Sequence, residues 1–147
     1  MWKGGEKSMF SGQYQHNLDA KGRIAVPAKF RNELGDIAVV TRHVDGCLSI
    51  FSQQTWDIEE KRLYSLDRNK KAVRLLIDFK LSKLYKLSFD AQGRINLPTE
   101  LIEVANLEKE CVFTGALDEI KLWSKEAWDN REQQIENIDM AEMIEGL

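Results

Sequence analysis

The chain has 147 residues, of which 43% are hydrophobic and 31% are charged, a balance typical of soluble globular proteins and too apolar for a disordered chain. No apolar run approaches the roughly 18 residues of a membrane span, and the first eight residues lack the apolar stretch of a secretion signal. We therefore expect a cytoplasmic protein with no membrane partner. The net charge of −3 is only a weak argument against nucleic acid, because the position of charges matters more than their sum.

The charge is divided unevenly along the chain. Residues 61–86 contain nine Lys or Arg and two Asp, a local charge of +7, whereas residues 126–147 contain seven acidic residues and one Arg, a local charge of −6. The acidic C-terminal segment therefore offsets the basic central segment in the overall net charge. The basic segment is either a phosphate-binding surface or the solvated face of amphipathic helices, and the second interpretation is the commoner one.

The first predicted elements belong to an internal repeat. Residues 14–27 and residues 85–98 share seven identities over fourteen positions at a constant offset of 71. Both contain Asp-Ala-x-Gly-Arg-Ile-x-x-Pro, which is too ordered to be an accident of composition. The chain therefore carries two copies of one module.

Each copy contains the same local signals. An alternating strand leads into an Asp-x-x-Gly turn and a return strand, and the next Pro ends this strand and suits the first turn of a helix. A hairpin and a Ser-capped helix follow. The first copy is predicted to contain strands at 14–18, 23–26, 37–41 and 47–51, a short helix from Pro27 to Gly35, and a helix from Ser52. The second is predicted to contain strands at 85–89, 94–97, 111–114 and 120–123, and helices from Pro98 and Ser124.

Two helices are predicted between the copies, in residues 53–82, the second at 70–81. We divide the chain into repeat 1 (13–55), a helical connector (56–83), repeat 2 (84–127), and a C-terminal helix with an acidic tail (128–147). Forty-odd residues with four short strands cannot close a core alone. We therefore expect an α+β fold, mainly β with short helices, in which the strands of both copies interleave about an approximate twofold axis.

The tryptophans and cysteines are predicted to be structural. Trp56, Trp123 and Trp128 lie beside strand ends and helix starts, which indicates core or interface anchors more than base-stacking residues. Cys47 and Cys111 each lie in an apolar run, which favours buried, reduced thiols over a disulfide or a catalytic pair.

The two repeat motifs resemble the MraZ family, a two-repeat branch of the AbrB-like, or SpoVT-AbrB, swapped-hairpin group. The motifs that carry the resemblance are Asn17-Leu-Asp-Ala-Lys-Gly-Arg-Ile24, Val26-Pro-Ala-Lys-Phe-Arg31, Val39-Val-Thr-Arg42, Asp45-Gly-Cys-Leu48, Asp90-Ala-Gln-Gly-Arg-Ile95 and Leu122-Trp-Ser124. The match extends from Met9 to about Trp128. The family start is similar to Met9-Phe10, so we expect residues 1–8 to lie outside the fold. Residues 75–82 depart from the Phe-rich stretch usual before the second repeat, which affects the expected subunit contacts.

The resemblance implies a double-split, or swapped-hairpin, β-barrel built from two pseudo-twofold-related repeats with flanking helices. It also implies a ring-shaped homo-oligomer, with an octamer as one candidate. Family members associate with the nucleoid and bind direct repeats in double-stranded DNA upstream of the division and cell-wall gene cluster, including their own gene. They act there as transcriptional regulators, usually repressors.

The first repeat turn is the main candidate for DNA contact. Asp19 and Gly22 set the turn, so the Arg23 guanidinium projects from a defined backbone and can recognise guanine or a phosphate. We expect Lys21 and the backbone of Gly22 to lie close to the same DNA strand. Alternatively, Arg23 only pairs with Asp19 to close the turn, although both roles hold if the pairing orients the guanidinium.

The second copy is less basic. It has Gln92 where the first copy has Lys21, and its helix carries Glu100 and Glu103, which would repel phosphate. We therefore expect the first repeat to dominate DNA affinity, with Arg94 as the second choice. The predicted DNA-binding residues are Lys21, Gly22, Arg23, Lys29, Arg31, Gln92, Gly93 and Arg94.

Chemistry other than DNA binding has little support. Two histidines, His16 and His43, and two distant cysteines do not match the spacing of a zinc site. The sequence also lacks a nucleophile elbow, a phosphate-binding Gly-rich loop and a paired-carboxylate motif. We predict no metal, no cofactor, no small-molecule substrate and no enzymatic activity. The hypotheses left open are a DNA-binding regulator, an oligomeric scaffold that binds proteins through its acidic C-terminal helix without direct DNA recognition, and a small enzyme using His16 or His43.

Overall fold

The computed structural model describes residues 9–147, so the expectation for residues 1–8 lies outside the described part. The strands are β1 (Gln13–Asn17), β2 (Arg23–Ala25), β3 (Ile37–Arg42), β4 (Leu48–Phe51), β5 (Tyr85–Ser88), β6 (Arg94–Asn96), β7 (Glu110–Ala116) and β8 (Glu119–Ser124). The helices are α1 (Ala28–Leu34), α2 (Gln53–Tyr64), α3 (Lys71–Leu81), α4 (Thr99–Val104), α5 (Lys125–Asn137) and α6 (Met140–Ile144). The fold is α+β, as predicted.

Local signals place these elements where the sequence indicates. Pro27 and Pro98 immediately precede α1 and α4, and Gly35 ends α1 with a φ of 81°. Ser52 and Ser124 cap α2 and α5 by accepting backbone N–H bonds, so both predicted caps are confirmed. Helix α6 was not predicted.

The strands of the two repeats interleave. One sheet has the order β1-β7-β8-β4-β3-β5, and β2 and β6 form a separate two-stranded ribbon. Among the strands of residues 9–147, only the hairpins β3–β4 and β7–β8 pair strands of the same repeat, whereas β1–β7, β3–β5, β4–β8 and β2–β6 join different repeats. The counterparts in the two repeats are β1 and β5, β3 and β7, and β4 and β8. When each strand is replaced by its counterpart, the same strand order is obtained, read from the opposite edge of the sheet. An approximate twofold axis requires this symmetry. Interleaving is therefore confirmed, although the return strand β2 pairs with β6 and not with β1. The closed double-split barrel stays a prediction.

The main core lies where the sheet, the ribbon, α1 and α4 meet. The ribbon contributes Ile24 and Ile95, α1 and α4 contribute Phe30 and Leu101, and β7 contributes Phe113, all fully buried. Because both repeats supply this cluster, neither has a complete core of its own.

A smaller cluster anchors the connecting helices. Trp56, which is 1% exposed, packs with Val39, Phe51 and Leu63. Trp123 is also buried, so the structural role predicted for both indoles is confirmed. Trp128 is partly exposed and its indole N–H donates to Gln13 Oε1 at 3.0 Å, a contact between α5 and β1.

Helix α3 lies on the outside of the molecule. None of its residues is buried, and it is held to β3 by Thr41 Oγ1, which donates to Lys80 O, and by Arg42 Nε, which donates to Phe79 O at 2.7 Å. Lys71 and Arg74 are exposed, in agreement with the solvated-helix interpretation of the basic segment. Within residues 9–147, no helix is both long enough and apolar enough to cross a membrane.

Candidate nucleic-acid interface

The two repeat turns share one hydrogen-bond pattern. Asp19 Oδ1 accepts the backbone N–H groups of Lys21 and Arg23, both at 2.9 Å. Asp90 Oδ1 accepts those of Gln92 and Arg94, also at 2.9 Å. This is the local bonding by which an aspartate side chain stabilises a turn.

The same aspartates hold the arginine side chains. Arg23 Nε lies 2.8 Å from Asp19 Oδ2, and Arg94 Nε lies 2.7 Å from Asp90 Oδ2. Bonds from the Arg23 backbone and side chain keep the pKa of Asp19 below its usual range, and Arg94 does the same for the pKa of Asp90. The turn-closing pair considered as the alternative role of Arg23 is therefore present. The Nε bond uses one of the five donor hydrogens of a guanidinium, and about a third of each arginine side chain is exposed.

The ribbon brings the two arginines to one surface. In the β2–β6 register, Arg23 lies opposite Asn96 and Ala25 lies opposite Arg94. Side chains alternate between the faces of a strand, and the fully buried Ile24 and Ile95 occupy the core face. Arg23 and Arg94 therefore share the outer face, where Arg94 Nη1 reaches within 4.0 Å of Asp19 Oδ2. The interface is thus a single surface to which both repeats contribute.

Each turn glycine is bonded to the other repeat. Gly22 O accepts from Leu97 N–H at 2.8 Å, and Gly93 O accepts from Val26 N–H at 3.1 Å. Gly22 and Gly93 have φ values of 81° and 74°, which residues with a side chain rarely adopt. Both are also crowded, because a Cβ on Gly22 would lie 3.0 Å from Leu97 O and one on Gly93 would lie 2.2 Å from Arg31 Nη1. The positive φ values therefore favour glycine at both turns, and the contact at Gly22 is with rigid backbone whereas that at Gly93 is with the end of the Arg31 side chain.

The remaining predicted residues lie in different environments. Lys21 and Gln92 are exposed at the turns, and Lys29 is exposed on α1. Arg31 is partly buried and its Nη1 donates to Val26 O at 3.1 Å. The Arg31 guanidinium lies against Gly93 in the turn of repeat 2, a position that the sequence around Arg31 does not predict.

The acidic character of α4 is partly neutralised. Glu100 accepts a bond from the Tyr85 hydroxyl and another from Lys83 Nζ at 3.2 Å. Those two bonds lower the pKa of Glu100 and so keep it ionised. Glu103 is exposed. Glu100 is therefore a weaker source of repulsion for phosphate than its formal charge suggests.

A charged cluster that sequence reasoning missed links the β3–β4 turn to α5. Asp45 Oδ2 lies 2.6 Å from Arg131 Nη2, 3.5 Å from Lys121 Nζ and 3.6 Å from His43 Nδ1. The imidazole Nε2 of His43 lies 3.9 Å from Glu119 Oε1. Burial outweighs these carboxylates and lowers the pKa of His43. The cluster fastens the C-terminal helix to repeat 1.

The titratable groups of residues 9–147 do not form a metal site. No three His, Cys, Asp or Glu side chains in that range are grouped to hold an ion. Cys47 and Cys111 are free and buried, as predicted, and burial raises the pKa of Cys47 to about 12 and that of Cys111 to about 11. Neither thiol is therefore activated as a nucleophile.

The chain matches one protein family along most of its length. The model of the family described as "MraZ protein, putative antitoxin-like" matches residues 9–79 and 81–145. Among similar proteins, one from Halothermothrix orenii is 44% identical over 137 residues, covering 90% of this chain and 96% of the relative. One from Ligilactobacillus salivarius is 44% identical over 132 residues (89% and 92%), and one from Natranaerobius thermophilus is 41% identical over 129 residues (88% and 90%). All three relatives are named "Transcriptional regulator MraZ".

Proposed function

Because the chain belongs to the MraZ family, we propose that it is a transcriptional regulator that binds double-stranded DNA sequence-specifically through its two repeat turns. The observation that carries this proposal is the pair Arg23 and Arg94, which share the outer face of the β2–β6 ribbon. An arginine recognises guanine through two parallel hydrogen bonds and so needs a defined direction of approach. The aspartate of each turn supplies that direction.

Other turn residues act on the DNA backbone. Exposed Lys21 and Lys29 contact phosphates, whereas Gly22 and Gly93 are buried and act by shaping the turns that carry the contacting side chains. Gln92 contributes less than Lys21, because a neutral side chain releases no counterion.

We further propose that the DNA target is a set of direct repeats upstream of the division and cell-wall gene cluster, including the protein's own gene. The protein acts there as a repressor, in association with the nucleoid. Subunits arranged head to tail present their turns in one direction, which suits repeats in the same orientation. Inverting one repeat at constant spacing should weaken binding, and equal affinity for the inverted site would contradict this target.

The head-to-tail arrangement uses two surfaces of opposite charge. The repeats already use their twofold axis within one chain, so further association requires other faces. Residues 53–81, which hold α2 and α3, contain seven Lys or Arg and five Asp or Glu, a net charge of +2, and they expose four large apolar side chains, Ile58, Tyr64, Leu75 and Leu81. The acidic helices α5 and α6 expose Ile135, Met140, Met143 and Ile144. We propose that the α5–α6 surface of one subunit contacts the α2–α3 surface of the next, and that the contacts close into a ring, with an octamer as one candidate.

Charge reversal tests this assembly. Lys71→Glu and Glu142→Lys should each lower the mass measured by light scattering, because each places like charges across the contact. The two variants mixed, or combined in one chain, should recover part of the mass. A wild-type mass equal to a monomer or a simple dimer would contradict the ring.

The DNA-binding proposal is tested by Arg23→Ala. Loss of one bidentate base contact costs about 1–3 kcal/mol per subunit, or roughly a 5- to 150-fold loss of affinity. Affinity for a fluorescent operator should be measured over a range of salt concentrations, with Lys86→Ala as a control that removes an exposed basic residue of β5, outside both the turns and the proposed subunit contact. Binding within twofold of the wild type would assign Arg23 to turn closure alone.

The alternative function is an oligomeric scaffold that binds another protein without direct DNA recognition. The exposed apolar side chains of α5 and α6 are the observation that favours it. The two functions differ in their response to DNA. A wild-type assembly that has no salt-dependent affinity for the upstream DNA would support the scaffold.

A further inference from the structure

The two DNA-contacting turns have different supports beneath them. At the offset of 71, Arg31 in α1 corresponds to Ile102 in α4. The position of a Cβ on Gly22 lies 3.4 Å from Ile102 Cδ1, whereas that of a Cβ on Gly93 lies 2.2 Å from Arg31 Nη1 and 2.6 Å from its Cζ. Each helix therefore supports the turn of the other repeat, one with an aliphatic side chain and the other with a guanidinium.

The guanidinium is bonded into the frame of the second turn. Arg31 Nη1 donates to Val26 O at 3.1 Å, and Val26 N–H donates to Gly93 O at 3.1 Å. Val26 thus links Arg31 of α1 to the second turn, because its carbonyl accepts the bond from Arg31 and its N–H donates to Gly93. Arg31 therefore supports the turn by packing its guanidinium against Gly93 and by bonding the Val26 carbonyl, and an apolar side chain could not make that bond.

The space beside Arg31 is open. A groove of about 530 Å³ is bounded by Arg31, Asn32, Asp36, Asp90 and Gln92. Truncation of Arg31 would therefore extend the groove beneath Gly93. The first turn, in contrast, rests on Ile102 Cδ1 and on Leu97 O.

We infer that Arg31 is a positioning residue for the second DNA-contacting turn, acting across the repeats to set the direction of Arg94. Asp90 transmits the effect, because it bonds both the turn amides and Arg94 Nε. The inference rests on the proposed function, but the support of the turn exists with or without DNA. It replaces a direct phosphate contact as the role of Arg31.

A first experiment needs no DNA. Amide hydrogen exchange is compared in peptides covering residues 89–95 and 18–24 of the intact protein, whose turn amides are bonded in the same way. Arg31→Met should accelerate exchange in the second turn alone, and Ile102→Ala in the first alone. Equal acceleration of both turns by Arg31→Met would indicate general destabilisation, and no acceleration would indicate that Arg31 supports nothing. Either result overturns the inference.

The second experiment measures coupling on a fluorescent operator. Arg31→Met should weaken binding about five- to tenfold in the wild-type and Arg23→Ala backgrounds, but less than about twofold in the Arg94→Ala background, where the oriented side chain is gone. The slope of affinity against salt should not change. Equal losses in all three backgrounds, with the slope smaller by about 1, would identify a phosphate contact and overturn the inference. Wild-type protein that does not bind the operator would refute the proposed function while leaving the exchange result to decide the role of Arg31.

Discussion

Replacement of Ile24 by alanine should destabilise both repeats together. Ile24 and Ile95 are directly opposite each other in the β2–β6 ladder, and both are fully buried. The substitution removes three carbons, a loss of roughly 2.4 kcal/mol at about 0.8 kcal/mol for each buried carbon. A residual cavity adds to this, so we expect the free energy of unfolding to fall by about 3–4 kcal/mol. That is a large part of the roughly 5–15 kcal/mol that stabilises a typical domain.

Urea unfolding at one fixed protein concentration measures this change, followed by both circular dichroism and tryptophan fluorescence. Ile95→Ala should cost about the same, and the double variant should cost less than the sum, because the two substitutions enlarge one shared cavity. Asn96→Ala, on the exposed face of the ribbon, is the matched control and should change stability by less than about 0.5 kcal/mol. Additive losses from the two isoleucines, or separate transitions for the two probes, would refute a core shared between the repeats.

Three further predictions follow from local contacts. Lys21→Ala should weaken operator binding and reduce its salt dependence, whereas Gln92→Ala should have little effect; equal losses would mean that the turns contact DNA equivalently. Ser52→Ala and Ser124→Ala should each lower the free energy of unfolding by about 1 kcal/mol, since each removes a helix cap with an N···O distance of 3.1 Å; a loss below about 0.3 kcal/mol in urea titrations would argue against a capping role. Burial lowers the pKa of His16 and of His43 in the folded state, so the unfolded chain binds protons first as pH falls below about 6.5. Stability should therefore fall between pH 7.5 and 5.5 in denaturant titrations and fall less in a His16→Gln/His43→Gln variant; an unchanged stability across that range would contradict this assignment.

Much of the fold was predictable because its signals are local. The Asp-x-x-Gly turns, the prolines before α1 and α4, and the serine caps of α2 and α5 act within a few residues of the backbone that they shape. The repeat also showed that neither copy could close a core. Helix α6 was missed because its five residues are too few to show a helical period.

The candidate site was predictable only in part. The spacing of Asp19 and Arg23 indicated their pairing, and the repeat extended it to Asp90 and Arg94. The approach of Arg31 to Gly93 depends on which residues the ribbon brings together, and these two lie 62 positions apart. The cluster around Asp45 was missed for the same reason, since Lys121 and Arg131 come from distant elements.

The sequence by itself determined the turns, the strands and the need for two copies, because these follow from backbone preferences and from the small size of each repeat. The tertiary structure alone decided which strands of one repeat pair with which strands of the other. Any extended strand can offer the same ladder of N–H and C=O groups, so the choice of β6 for β2 depends on the packing of Ile24 against Ile95 in a core built by both repeats. That choice placed Arg23 and Arg94 on one face and Arg31 beneath the turn of the opposite repeat.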